Sequence, residues 1–377
     1  MEEQQFFISV LRDYLLEENT KVSDSLDWDI IKEFAESHQL SGVFYYQTRQ
    51  QIFQNSFAFQ ICRFANFKQS ISIFKEALKD YAYIMVKGAI IAELYPVPDL
   101  RSMGDVDILI HVDDRAAVHQ ALLSAGFKFL SDGEDLGEWK YSINGFLFEV
   151  HDSLVHRYEG KENLVDYFSN AWTYIEGNQL NWSFHLIYLI EHLRQHFVGE
   201  GVGFRQFMDV AIVSKKCDID WNFVSCELGK INLYNFATVI FAFIKIWFEI
   251  EVPFETAKIS EAFYVQATQK IFNDGVFGIS NEDNLGKDLS FLMHYKEIDL
   301  KTAKKQYIFQ RLFPSYKEMC YLPYCRYVKL SRILLPLAWI HRIIYRLFDR
   351  SSRDNMKMQL SSEGVLSRIE MLKKWGL

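Results

Sequence analysis

The chain has 377 residues, 49% apolar and 16% aromatic, which is enough for two or three domains with real cores and excludes a disordered chain. Forty-one Lys and Arg stand against forty-nine Asp and Glu, and the net charge of −8 argues against non-specific nucleic-acid binding through a broad basic surface. Five cysteines with no CxxC pair fit free thiols in a reducing cytosol, not a disulfide framework or a zinc site.

The opening Met-Glu-Glu-Gln-Gln lacks the basic region of a signal peptide, and no run of about 18 uncharged apolar residues occurs. A cytoplasmic chain with no spanning helix is expected. Residues 4–80 have helical periodicity, with Ile8, Leu11, Tyr14 and Leu15 on one stripe. Asp27 is placed to cap a helix over Trp28–His38 that turns Ile30, Ile31 and Phe34 inward. From Val43 to Leu78 no Gly or Pro interrupts an aromatic stretch, and Phe57, Ile61, Phe64, Ile71 and Phe74 read as a helix seam.

The character changes at Tyr81. Tyr83–Val86 reads as a short strand, Gly88 as a turn, Ala89–Tyr95 as a helix and Pro96–Met103 as a loop. Asp105–Val112 reads as a buried strand, and Asp113 or Asp114 as the cap of a helix ending at Gly126. Asn144-Gly145 between Trp139–Ile143 and Phe146–His151 is a strong hairpin signal. Beyond residue 160 the chain reads as helical: Trp182–Val198 with Asn181 or Ser183 near its cap, Phe204–Lys215, and a deeply buried Phe236–Ile250. The Arg-rich stretch 326–350 fits a membrane-surface helix, a partner-binding helix or a helix packed on its own domain, and Pro336 argues against one continuous helix. The expected division is an N-terminal helical region over 1–80, an α/β core over 81–155, a C-terminal helical domain over 156–350 and a tail over 351–377.

The chemistry concentrates in residues 86–109. Asp105 and Asp107 stand two apart on a strand and point the same way. Two such carboxylates repel unless a cation lies between them, and Mg²⁺ suits carboxylates plus phosphates. A two-residue turn at Asn144-Gly145 pairs Lys140 with Glu149 and sets Glu149 on the face of His151. Glu149 is then either a third metal-binding acid or the partner of Lys140. Gly88 at a helix start and Lys87 beside it suit phosphate, and Arg101, just before the Asp105 strand, has the same potential. His192 and His196 share a helix face, as do Arg205 and Asp209; for the latter pair an intrahelical ion pair is the plain reading.

Lys-Gly, Leu-Tyr-Pro, Arg-Ser-Met-Gly-Asp-Val-Asp-Ile-Leu-Ile and Phe-Glu-Val-His together resemble the nucleotidyltransferase superfamily typified by DNA polymerase beta, and more closely its bacterial branch of uncharacterised nucleotidyltransferases. The N-terminal stretch from Asp27 to Tyr46 and the segment Phe184–Asp209 resemble the helical flanks of that branch, so the resemblance covers most of residues 25–215. It implies an α+β fold, a small mixed sheet flanked by helical regions. It also implies Mg²⁺- or Mn²⁺-dependent transfer of NMP from an NTP to a hydroxyl by a two-metal mechanism. Asp105, Asp107 and Glu149 match the metal-binding acids; Lys87, Gly88, Arg101 and Gly104 lie at the nucleotide; Lys140, His151, His192, His196, Arg205 and Asp209 fall along the substrate cleft. Lys87-Gly88 stands where the superfamily has Gly-Ser, so a nucleotide-binding module without chemistry is the alternative. An antitoxin-like enzyme that modifies a partner protein is another. The acidic charge favours a small molecule or a protein as acceptor over long nucleic acid.

Overall fold

A computed structural model describes residues 2–133, 137–155, 162–199, 201–276, 300–314, 331–348 and 369–377, with 316, 319, 325, 327 and 328. The chain divides into two compact units, the first spanning Met1–Ile279 and the second beginning at Ser280.

In the first unit, helices α1 (Glu2–Leu16), α2 (Trp28–Ser37), α3 (Ser41–Thr48) and α4 (Gln54–Ala77) precede the sheet. Asp27 caps α2 by accepting from the N–H groups of Asp29 and Ile30 at 3.0 and 3.3 Å. Ile31 and Ala35 are the residues of α2 turned inward, and Ile30 is exposed, contrary to the sequence pattern. The aromatic stretch after Val43 is broken in two. Arg49 takes a left-handed conformation (φ 58°) that ends α3, and a short 3₁₀ turn starts the next helix. The Arg49 guanidinium covers the rings of Tyr45 and Tyr46, a contact that no turn residue announces.

Five strands follow: β1 (Tyr83–Val86), β2 (Asp105–Ile110), β3 (Lys128–Gly133), β4 (Glu138–Ile143) and β5 (Phe146–His151). Their order is β1-β2-β5-β4-β3, with β2 and β5 parallel and the other neighbours antiparallel, so the sheet is mixed and the fold is α+β. A one-turn helix, α5 (Gly88–Ile91), follows β1, and α6 (Arg115–Ser124) follows β2. Asp114 stands at the N-cap of α6 with no side-chain cap bond, and Gly126 closes that helix at φ 91°. Asn144 and Gly145 both have positive φ, as a two-residue hairpin turn requires. One face of the sheet carries Val106, Ile108, Phe148 and Val150 into a core with Phe64, Phe67 and Phe74 of α4. Strand alternation therefore turns the polar residues of β2 and β5 to the opposite face.

The helices after the sheet include α7 (Glu162–Ser169), α8 (Trp182–Gly199), α9 (Phe204–Lys216), α10 (Trp221–Lys230), α11 (Tyr234–Phe248) and α12 (Glu261–Asp274), with a two-stranded ribbon, β6 (Ile175–Glu176) and β7 (Gln179–Leu180), before α8. Asn181 caps α8 through the N–H of Phe184 at 2.9 Å. In the second unit, α13 (Leu300–Leu312) and α14 (Leu335–Phe348) are described. Pro336 sits in the first turn of α14, where its missing N–H costs no helical bond, so the helix is continuous beyond it. Among the described residues no helix is long and apolar enough to cross a membrane, and Cys62, Cys217, Cys226 and Cys325 are free.

Candidate active site

β2 and β5 set Asp107 directly opposite Glu149 and Leu109 opposite His151. β4 lies on the other edge of β5 and sets Lys140 opposite Glu149 and Glu138 opposite His151. One sheet face thus carries Asp105, Asp107, Glu149, His151, Lys140 and Glu138. Nε2 of His151 is 3.3 Å from Oδ1 of Asp107 and 4.0 Å from Oε2 of Glu149. Among the described residues this is the one group of three metal-capable side chains that converges, with donor atoms within 4.8 Å of one another. Adjacent ligands of a six-coordinate ion lie about 3 Å apart and opposite ones about 4.2 Å apart when the bonds are near 2.1 Å. The spacing therefore fits a single divalent ion. Asp105 is exposed at the start of β2, one strand period from Asp107.

Lys87 joins this group from the end of β1. Its backbone, at φ 55° and ψ −132°, is one that glycine adopts without strain and lysine does not. Three contacts hold it. Its N–H donates to Nε2 of His185 at 3.0 Å, its Nζ donates to Oδ1 of Asp107 at 2.8 Å, and the ammonium lies 5.6 Å from the Tyr188 ring centre. Burial opposes the charge on Asp107, but Lys87 and His151 outweigh it and hold the carboxyl far below the usual carboxylate range. Burial likewise opposes the Lys87 ammonium, and Asp107, Tyr188 and Asp105 raise it above an ordinary lysine. Glu149 behaves differently. Burial raises its pKa, the hydrogen bond from Lys140 at 2.6 Å opposes that rise, and the charges of Asp107 and Asp105 add to it. Lys140 also reaches Glu138 at 2.8 Å.

Arg101 does not stand free at the mouth of the site. It is buried and forms a fork to Asp209 of α9, Nε to Oδ1 at 2.9 Å and Nη2 to Oδ2 at 2.7 Å. Tyr95 donates to the same Oδ1 at 2.7 Å. Asp209 is therefore taken by Arg101 and Tyr95, not by Arg205 as helical spacing suggested. Arg205 instead donates to Oε1 of Gln39 at 3.1 Å and to O and Oγ of Ser102 at 3.2 and 3.1 Å. Its buried Nε has no partner among the described residues. Burial and then Arg101 lower its pKa.

The arginine fork also explains Gly88. A Cβ there would collide with Nη1 of Arg101 and come within 3.0 Å of its Cζ. The guanidinium is pinned by two bonds to Asp209 and cannot step aside. Gly88→Ala is expected to destabilise the protein by about 1–3 kcal/mol, the usual cost of overpacking. Chemical denaturation checks this: an unchanged midpoint contradicts the packing, and Gly88→Ala in an Arg101→Lys background is expected to cost less. Gly104 has open space where a Cβ would stand, so no steric demand fixes it.

His192 and His196 lie on α8 with ring centres 4.5 Å apart, on from Tyr188 and His185 along one ladder of rings. Neither belongs to the converging metal-capable group among the described residues. His185, Tyr188 and Tyr95 were not singled out from the sequence. The signal that could have found His185 is its helical phase, seven residues before His192.

Two buried histidines make a pH dependence. Burial alone pushes His38 down to about 3, and burial brings His185 down to about 4 against the opposing charge of Asp209, with Lys87 adding a smaller lowering. Both stay neutral in the folded chain while the unfolded chain takes up protons below about pH 6.5. Stability is therefore expected to fall as pH drops from about 6.5 toward 4, by near 1.4 kcal/mol per group per pH unit and so up to about 7 kcal/mol for the two. Urea midpoints across that range check this. His38→Gln is expected to flatten the slope, and a midpoint that rises on acidification contradicts the assignment.

A family model described as an uncharacterised nucleotidyltransferase matches residues 24–249, from α2 through the whole sheet to α11. No curated protein and no solved structure matches the chain.

Proposed function

The chain belongs to the uncharacterised nucleotidyltransferase family, and from that premise we propose that it transfers NMP from a metal-bound NTP to a hydroxyl of a small molecule or a protein, releasing pyrophosphate. The observation that carries this reading is the register that sets Asp107 against Glu149, with His151 beside both. Asp107, Glu149 and His151 would hold a divalent ion. When bound, it supplies charge neutralisation to the triphosphate and polarises the attacked phosphorus. The imidazole donor widens the choice from Mg²⁺ toward Mn²⁺.

The residues themselves do the rest. Asp107 stays ionised at any physiological pH because Lys87 and His151 hold it so. Lys87 presents a permanent positive charge at the carboxylates, where a phosphate would arrive. Glu149, with its raised pKa, is the acid best suited to accept the acceptor's proton if it faces that hydroxyl. We assign Arg205, partly buried beside Ser102 in the loop before β2, to substrate contact. Arg101 and Asp209 act as positioning residues. A cavity of about 650 Å³ adjoins Gly104, but Phe64, Phe67 and Phe146 of its walls belong to the α4 face of the sheet, and none of Asp105, Asp107, Glu149 and His151 lines it, so it is not assigned to the nucleotide.

One observation favours the second reading, a nucleotide-binding module without turnover: the Lys87 ammonium lies 2.8 Å from the carboxylate that would hold the metal. Thermal shifts over the four NTPs, with and without Mg²⁺ or Mn²⁺, address both readings. The enzyme reading expects a metal-dependent rise in Tm and pyrophosphate release with some acceptor. Metal-independent NTP binding with no pyrophosphate from any acceptor favours the module. No NTP shift at all sinks both.

A further inference from the structure

Charge is distributed very unevenly along this acidic chain. Residues 300–350 hold eleven Lys and Arg against two Asp and Glu, while the remainder holds thirty against forty-seven. A basic block of that size in a chain of net charge −8 suits an anionic partner. Among its described side chains Lys301, Lys305 and Arg332 are exposed and Arg342 is buried.

The second unit also exposes apolar side chains. Ile333, in the 3₁₀ turn Arg332–Leu334, is 88% exposed, and Leu337 and Ile340 in the first turns of α14 are 62% and 58% exposed, so a run of aliphatic side chains faces outward there. The opposite side of that helix meets a small core of Met319, Cys325, Val328 and Ala338. Phe313 of the neighbouring segment packs edge-on against Trp339 at 5.2 Å, and Phe309, one turn before Phe313, is itself exposed. Among the described residues this core meets the other face of the helix, and the stripe stays exposed. Arg332 lies exposed at its edge.

We propose that this face of the second unit docks on an anionic lipid bilayer. A nucleic acid would answer the charge but not three outward aliphatic side chains. A second copy of an acidic chain would answer the apolar stripe, but it brings an equal basic block to the contact. An anionic bilayer meets both features, because its headgroups take Arg332 at the edge of the stripe and its acyl boundary takes Ile333, Leu337 and Ile340. No helix among the described residues spans a membrane, so the contact is peripheral.

Co-sedimentation of the full chain with phosphatidylglycerol-containing and with pure phosphatidylcholine vesicles tests this. Binding to the anionic vesicles is expected, with little to the neutral ones and a loss as salt rises. The double substitution Leu337→Glu/Ile340→Glu, at exposed positions that bear no core load, should weaken binding at least about tenfold. Arg332→Gln should weaken it about fivefold. Circular dichroism melts of the variants verify that they fold. The proposal is overturned by no binding to anionic vesicles, or by binding that the double substitution leaves unchanged. It is equally overturned if the double substitution dissolves a stable dimer and leaves vesicle binding intact, or if tRNA binds more tightly than vesicles and the aliphatic substitutions do not matter.

Discussion

Asp107→Asn is expected to reduce NMP transfer by about a thousandfold or more, and also to weaken the fold. The first effect follows from losing the carboxylate proposed to hold the metal, a loss of several kcal/mol of charge stabilisation. The second follows from Lys87. Its ammonium is largely buried and its salt-bridge partner is Asp107, at 2.8 Å. Removing one member of a buried pair leaves an uncompensated charge and costs about 3–5 kcal/mol. A loss of activity in Asp107→Asn alone is therefore ambiguous. The double substitution Lys87→Met/Asp107→Asn separates the effects: stability is expected to recover and activity is not. If the single variant is as stable as wild type, the pair is not the buried contact described here. If the double variant turns over NTP, Asp107 is not a metal ligand.

Arg101→Ala is the second large effect. The fork to Asp209 is buried on both sides and joined by Tyr95, so truncation leaves a buried carboxylate with the Tyr95 hydroxyl as donor and no counter-charge. The expected cost is about 3–5 kcal/mol, and Asp209→Ala should match it within that range. In a double-mutant cycle the combined loss is expected to be clearly smaller than the sum, which denaturant midpoints read directly. The fork ties the loop before β2 to α9. Arg101→Lys, which keeps the charge but loses the fork, is therefore expected to raise KM for NTP more than it lowers kcat if the arginine positions the site. An additive cycle contradicts the coupling.

The parts of this site that sequence made legible are those set by local rules. Alternation puts Asp105 and Asp107 on one face, and Asn144-Gly145 fixes a register in which Lys140 meets Glu149 and Ile143 meets Phe146. Helices with strong periodicity and caps, such as α2 and α8, were likewise readable. The hidden parts depend on contacts between distant segments. Arg101 and Asp209 lie 108 residues apart, and Lys87 and His185 lie 98 apart. No spacing rule reaches that far, so Arg101 read as a loop arginine free for phosphate and Gly88 as a turn. Asp107 and Asp105 also looked equivalent. Burial separates them, since Asp105 stands at the exposed start of β2 and Asp107 lies one period deeper against Lys87 and His151. β3, short of apolar alternation at its end, joins the sheet through pairing with β4 and left no pattern of its own.

The proposed reaction transfers the α-phosphate with its nucleoside, and not the γ-phosphate. Parallel reactions with NTP labelled at either position, the full chain, Mg²⁺ or Mn²⁺ and an acceptor fraction test it most directly. The account predicts that the α-label becomes covalently attached to the acceptor while the γ-label leaves as pyrophosphate, and that Asp107→Asn with Lys87→Met abolishes both. Transfer of the γ-label to the acceptor would contradict it.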